Sequence, residues 1–219
     1  MRRARRTVLF GMALASANAL AASPAELRVT GVIRPGACVP SFAADAEVNF
    51  GVIPSSAFKN KKRLALPAKQ FRFSIACDVR TRVGVSPYDN QRHSADRNIG
   101  ADLGEAEPAA PEDVFGLGSD LGHDLGGYEA RFVPGTFTAD GHDVDTISAA
   151  ANGTSWIRRR GGQIRHGVVN AWAERGALTP APIGNLSGML RIRPVVNAIG
   201  EVKQDANLDG SLTLELHYL

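Results

Sequence analysis

Apolar and polar residues alternate along several short stretches of this chain, most regularly near its C-terminal end. From residue 212 to 218 one parity is wholly large and apolar, and it consists of Leu212, Leu214, Leu216 and Tyr218. A period of two is typical of a strand with one buried side and one solvent-facing side. Asp209 and Gly210, just before it, form a turn sequence. The pattern predicts a terminal strand with a structural role.

Other stretches of alternating residues predict further strands and no long helix. The last of them contains Pro194, which lacks a backbone donor, so this strand should end there or lie at a sheet edge. Residues 147–151 could form one or two helical turns. Many short strands separated by turns favour a single all-β sandwich domain over residues 22–219. The other predicted strands cover residues 27–33, 48–53, 71–77, 83–85, 128–132, 154–158, 167–173 and 186–196.

The first 21 residues have the pattern of a secretory signal peptide. Four arginines precede a short apolar run, and small residues follow it at Ala19 and Ala21. Removing those arginines from the 25 Lys and Arg leaves 21, against 22 Asp and Glu, so the exported chain is nearly neutral. Charge therefore gives no reason to expect nucleic acid as a partner. No stretch is long enough to span a bilayer, so we expect no membrane insertion.

Both cysteines, Cys38 and Cys77, lie in the exported part of the chain. An even number of cysteines in an oxidising compartment favours a disulfide, and two buried free thiols are the alternative. Cys77 falls on the apolar parity of the predicted strand 71–77. A bridge from there would reach Cys38 if the strands that carry them pair or face each other.

No motif in the sequence argues for an enzyme, a metal site or a cofactor. The carboxylates between Asp140 and Asp145 lack the spacing of a calcium loop, and the five histidines are scattered. Trp156 and Trp172 could stack on sugars, but packing in a core is the better interpretation. Residues 89–113 show no period and are long for a structureless connection, so they are either functional or mobile. Residues 142–167 are a second long loop region, whose function the sequence leaves open.

Several features together resemble the subunits of chaperone–usher pili. They are the signal peptide, an early Val29-Thr-Gly31-Val-Ile-Arg-Pro-Gly-Ala-Cys38, a second cysteine that closes an interior strand, and a final alternating strand with penultimate Tyr218. Residues 48–53, 114–118 and the closing Leu-Thr-Leu-Glu-Leu-His-Tyr-Leu are similar to an uncharacterised fimbrial-like family of proteobacteria, sometimes labelled β-fimbriae subunits.

The resemblance implies an immunoglobulin-like sandwich that lacks its final strand and so exposes an apolar groove. Periplasmic chaperones and then neighbouring fimbrial subunits fill such a groove with a donated strand, after which an outer-membrane usher exports the fibre. By the same resemblance, Leu219 would present its carboxylate to a basic site of the chaperone. One side of the groove would be lined by Leu212, Leu214, Leu216 and Tyr218, and the first or donor strand would present Leu27, Val29, Gly31 and Ile33.

The expected function is therefore a structural, non-enzymatic role in a surface fimbria for cell adhesion, reached through the periplasm. The segment that precedes Val29 is short for a donor strand, so its use as a donor stays open. Two alternatives remain. One is an adhesin or lectin-like tip protein that uses Trp156, Trp172 or the long loops, and the other is a self-contained periplasmic β-sandwich.

Overall fold

The computed structural model describes residues 26–33, 36–43, 47–105, 108–198 and 205–219. The predicted signal peptide, 1–21, lies outside these ranges. The chain divides into two compact units, Met1–Arg34 and Pro35–Leu219. In the first, residues 26–33 form no strand, and Leu27, Val29 and Ile33 are almost fully exposed. The predicted strand 27–33 is therefore wrong for this chain, because alternation alone supplies no hydrogen-bonded neighbour.

The second unit is almost entirely β-structure, with short 3-10 helices at Ser55–Phe58, Arg92–Ser94 and Pro111–Asp113. Its strands, in chain order, are β1 (Cys38–Phe42), β2 (Arg63–Ala65), β3 (Lys69–Thr81), β4 (Val83–Asp89), β5 (Val114–Gly116), β6 (Ser119–Asp120), β7 (His123–Asp124), β8 (Gly126–Phe132), β9 (Thr138–Ala139), β10 (His142–Ala150), β11 (Ile157–Arg158), β12 (Val168–Glu174), β13 (Ile183–Asn197) and β14 (Leu212–Tyr218).

The strands form an immunoglobulin-like sandwich in which every pairing between strands is antiparallel. The main path of pairing runs β1-β3-β13-β9-β10-β12-β4-β14. β8 and β2 also pair with β13, β5 pairs with β8, and β11 pairs with β10. One layer is built on β1, β3, β13 and β8, and the other on β10, β12, β4 and β14. The small hairpin β6–β7 stands apart from this path.

Aromatic side chains hold the two layers together. The ring of Trp172, on β12, lies 6.1 Å from that of Phe73 on β3 and 5.6 Å from that of Phe132 on β8, measured between centroids. Phe137 completes the cluster at 5.5 Å from Trp172. Trp172 is almost completely buried, so it belongs to the core and offers no platform for a sugar.

The predicted disulfide between Cys38 and Cys77 is present, with an S–S distance of 2.02 Å. The two cysteines are directly opposite each other in the β1–β3 ladder, with their Cα atoms 4.0 Å apart. The bridge therefore joins an edge strand to its only described neighbour.

Pro87 and Pro194 both lie inside strands. The sequence predicted a short strand before Pro87, and a strand that either ends at Pro194 or lies at a sheet edge there. β4 continues through Pro87 while pairing with β14, although it pairs with β12 only at Gly84 and Val85. β13 continues through Pro194 at a position between its pairing with β3, which ends at Ile192, and its pairing with β2. At Pro87 the side facing β12 has no ladder bond to lose, and at Pro194 the corresponding side keeps a bond from the N–H of Leu66 to the proline carbonyl oxygen, so the missing donor is tolerated at both positions.

The two regions predicted to be irregular are built into the fold. Residues 142–150 form β10, so the helical turns expected at 147–151 are wrong. The excursion between β4 and β5 packs a second small core on the outer side of the sheet, made of Ile99, Leu103, Ala109, Val114 and Val195. Glu105 ties this excursion to β13 through Arg191 and Arg193, each at 2.8 Å.

Burial disfavours the charged form of Glu105, yet hydrogen bonds from Arg191 and Arg193 hold the pKa of this carboxyl below its ordinary value. The carboxylate therefore stays ionised at neutral pH and keeps the excursion attached to β13. The described residues of the 89–113 region thus cover one face of the sheet.

Candidate functional site: a cleft between the first and last strands

The two ends of the pairing order are β1 and β14, and each pairs with one described strand only. β1 pairs with β3, and β14 pairs with β4 over its whole length. At one end the two edges meet, where the backbone N–H of Cys38 donates a hydrogen bond to the hydroxyl oxygen of Tyr218 at 3.0 Å. No described strand lies between them, so the sandwich has a gap along this side.

Beyond that contact the gap opens into a cleft of about 710 Å³. Its floor is apolar and almost completely buried, because it is formed by inward-facing residues of β8 and β13 and of the loop after β5. These floor residues are Leu117, Leu125, Tyr128, Leu190, Ile192 and Val196. Phe42 and Phe71 extend the apolar surface, with their ring centroids 5.7 Å apart.

Two segments without regular secondary structure form the rims of the cleft. The first rim, residues 47–53, follows β1, and the second rim, residues 205–210, precedes β14. Val48 and Phe50 on the first rim, and Ala206 and Leu208 on the second, are half-buried against the core. Neither rim is a strand, so the strand predicted at 48–53 is wrong. Its alternation reflects burial on one side only, without a backbone partner.

Much of the backbone of the two rims is not paired with other described backbone. Within the described ranges, no backbone–backbone hydrogen bond involves residues 47–50 or 205–208. On the first rim, polar contacts come from side chains: Lys69 donates to the carbonyl oxygen of Asn49, and its ammonium lies 5.1 Å from the centroid of the Phe50 ring. Unpaired backbone groups beside an apolar floor are the elements that an added strand would use.

The five predicted groove residues, on β14 and directly after it, differ in how deeply they are buried. Leu214 is buried, while Leu212 and Leu216 are half-buried and pack against the core. Tyr218 and Leu219 have about half of their surface exposed, at 56% and 48%. Of these five residues, Leu212 borders the cavity itself.

Most of the residues that line the cleft were not predicted from the sequence. The alternation at residues 205–209, with Ala206 and Leu208 inward, was a signal that could have identified the second rim. The floor residues carried no such signal, because an inward residue of a central strand looks the same whether another side chain or a cleft covers it.

The floor residues of the cleft are uncharged at neutral pH. Burial, with the carboxylate of Asp89 nearby, raises the pKa of the Tyr128 phenol, so this hydroxyl stays neutral at physiological pH. The Tyr128 ring stacks on Phe115 at 5.5 Å. The floor residues are therefore neutral and apolar, and the polar side chains that line the cavity lie on the rims and at Ser55 and Asn197.

Other candidate chemistry does not assemble into a site. Asp140 lies in the turn between β9 and β10, and its carboxylate accepts hydrogen bonds from the N–H groups of Gly184 and Asn185. Among the residues that the structure describes, no group of three or more His, Cys, Asp or Glu is arranged to hold a metal ion. None of the helices described there is long and apolar enough to cross a membrane. Trp156 is half-buried and packs against the small cluster of Ile147 and its neighbours.

Comparison with known proteins gives one family match. Residues 27–128 match the model of a family described as a protein of unknown function, DUF1120. The match includes both cysteines, Cys38 and Cys77, and ends within β8. No curated protein matches the chain.

Proposed function

We propose that this protein is a non-enzymatic structural subunit of a cell-surface fimbria, assembled by donor-strand exchange in the chaperone–usher manner. In this proposal the cleft receives an extended segment of another polypeptide. A periplasmic chaperone supplies that segment first, and a neighbouring subunit replaces it at the outer-membrane usher. Export by the predicted signal peptide would bring the chain to the periplasm and then to the cell surface.

The observation that supports this proposal is the gap between β1 and β14. An apolar cleft lined by open backbone is an aggregation hazard when it stays empty, so a partner is expected to cover it. A strand entering the gap would bond to rim backbone on both sides while alternate side chains meet the apolar floor. The Cys38–Tyr218 contact would define one end of that path.

The segment 26–33 has the properties of a donor in this scheme. It has no regular secondary structure and no strand partner within the described ranges, and it exposes Leu27, Val29 and Ile33. These residues share one parity, so a strand made from this segment presents them on one side. We therefore take the N-terminal segment of a second copy as the partner that occupies the cleft.

A self-complemented variant tests the proposal. An extra copy of residues 26–34 is fused after Leu219 through a flexible linker, so that it can fold back into the cleft of the same chain. Burying its apolar side chains should raise the midpoint of thermal unfolding by about 5–10 °C and suppress concentration-dependent assembly. The protein without the fusion is the reference.

The matched control carries the same fusion with aspartate in place of Leu27 and Val29 in the added copy. It keeps the length and the linker but cannot fill an apolar floor. If the two fusions have the same unfolding midpoint and assemble equally, the cleft does not accept this segment and the proposed function fails.

A further inference from the structure

The rims of the cleft carry negative charge. Glu47 lies on the first rim, and Asp205 and Asp209 lie on the second rim, while Asn49 and Asn207 are the remaining polar side chains of these alternations. Among the described residues that line the cavity there is no Lys, Arg or His. The two rims therefore present only carboxylates and amides to a segment that enters between them.

The acidic side chains occupy the solvent-facing parity of each rim. Glu47 and Asn49 are exposed while Val48 and Phe50 turn toward the core. On the second rim the same alternation exposes its polar residues, namely Asp205, Asn207 and Asp209. An extended segment in the cleft would place its outward side chains beside these groups, as directly opposed residues do in a sheet.

Within the described part of the chain, Glu47 and Asp205 have no ion-pair partner of their own. Asp209 is held by the side-chain amide of Gln91, which donates to its carboxylate at 2.7 Å. Lys69, a described cation that contacts the first rim, is bound to the carbonyl oxygen of Asn49 and lies over the Phe50 ring. The carboxylates of Glu47 and Asp205 on the rims can therefore pair with a cation of an incoming segment.

We propose that the cleft selects, among apolar extended segments, those that carry arginine or lysine on their outward side, with Glu47, Asp205 and Asp209 as the specificity-determining residues. This inference rests on the proposed function and names the chemistry of its partner. The occupant to which we commit is residues 26–34 of a second copy. There the outward parity holds two arginines, Arg28 and Arg34, against one glutamate, Glu26.

The ion pair within the segment opposes its binding to the cleft only weakly. Arg28 pairs with Glu26 at 2.8 Å, but both side chains are at least 70% exposed. A pair this exposed contributes little to stability. Exchanging it for contacts with rim carboxylates is therefore not opposed by a strong existing interaction.

The test measures binding of two peptides to the full mature chain by calorimetry, at low and at high ionic strength. One peptide has the sequence of residues 26–34, and the other has Arg28→Glu and Arg34→Glu. At low ionic strength we expect the first to bind about tenfold more tightly. The difference should shrink at high salt, because exposed charges are screened.

A charge reversal on the protein provides the decisive comparison. In the variant Glu47→Lys/Asp205→Lys, both substitutions are at exposed positions, so the fold should be retained. This variant should prefer the peptide with two glutamates, which a merely structural role for these residues would not produce. The neutral variant Glu47→Gln/Asp205→Asn, which keeps the carboxylate of Asp209, should retain only a small part of the preference for the first peptide.

The outcomes separate the two proposals. Equal binding of both peptides by the unmodified protein, at low ionic strength, overturns charge selection but leaves the cleft as an acceptor for apolar strands. If neither peptide binds and the self-complemented fusion gains no stability, the proposed function fails and this inference fails with it.

Discussion

The backbone N–H of Cys38 donates a hydrogen bond to the hydroxyl oxygen of Tyr218 at 3.0 Å, and this contact joins the first strand of the sandwich to the last. It links residues 180 positions apart in the chain. On the rest of this side the two edge strands are separated by the cleft. The tyrosine thus ties β1 to β14 at one end of the gap without closing it.

Replacing Tyr218 with phenylalanine should remove this link while keeping the ring. We expect a loss of about 1 kcal/mol in the free energy of unfolding, because a partly buried backbone donor loses its acceptor. Urea unfolding measures the change. Tyr88→Phe, at a similarly exposed tyrosine on β4, is the matched control, and equal effects of the two substitutions would contradict the role of the contact.

Removing the disulfide by Cys38→Ser/Cys77→Ser should destabilise the fold strongly. The bridge spans a sequence separation of 39, and the chain-entropy model assigns a loop of this length about 4 kcal/mol. Unfolding with and without reductant checks this: reductant should lower the stability of the unmodified protein and leave the variant unchanged. A loss below about 1 kcal/mol would mean that the bridge adds little to the β1–β3 pairing.

Gly188 should not tolerate alanine, because its Cα approaches the ring of Phe137. A methyl group added there would lie 2.4 Å from ring carbons, and Phe137 is buried in the aromatic cluster. We expect a loss of about 1–3 kcal/mol, the usual cost of overpacking a core. Gly31→Ala, with open space around the added methyl, should be close to neutral in the same thermal unfolding measurement.

Leu103→Ala tests whether the excursion between β4 and β5 is a real part of the fold. Leu103 is fully buried with Ile99 and Val195, so truncation should cost about 2–4 kcal/mol. Leu178→Ala, at a half-exposed leucine, serves as the control. If the two losses in urea unfolding are equally small, the excursion does not form a packed layer.

Acid should weaken the fold partly through Asp140. Hydrogen bonds from the N–H groups of Asn185 and Gly184, with Arg80 nearby, hold the pKa of this carboxyl below its ordinary value. Its contribution is therefore present above the ordinary aspartate pKa and is lost as the pH falls through the lower folded-state value.

Asp140→Asn should reduce stability at neutral pH by about 1 kcal/mol and flatten the acid limb of the stability curve. Asparagine accepts the positive φ of 50° found at this position, so the backbone should be unchanged. Unfolding measured across the acidic range checks this, and parallel curves for the two proteins would exclude Asp140 as a contributor.

Alternation located several paired strands and missed others, since β1 lies outside the predicted ranges and helical turns were expected within β10. Strands β3, β8, β12 and β14 lie where alternation places them, and the disulfide joins the two cysteines as expected. Alternation at residues 27–33 and 48–53 is equally regular, yet neither segment is a strand. Period two reports which side of an extended chain meets an apolar surface, and it says nothing about whether a backbone partner is present.

The excursion at residues 89–113 could not be identified from its own sequence. Its apolar residues Ile99, Leu103 and Ala109 are too sparse to show a period, and they become a core only when Val195 is brought beneath them. The cleft floor escaped prediction for a related reason, since it is assembled from residues of β8 and β13 and of the loop after β5. Both features depend on distances in space that no local pattern encodes.

The position of the disulfide also fixes the register of β1 on β3. Because Cys38 sits directly opposite Cys77, the covalent link locks β1 in one phase relative to β3, and a slip by a single residue would turn every side chain of β1 to the wrong face. The bridge therefore holds β1 in a single alignment, whereas a chain without it would keep that alignment only through the hydrogen bonds and side-chain packing of the β1–β3 pair.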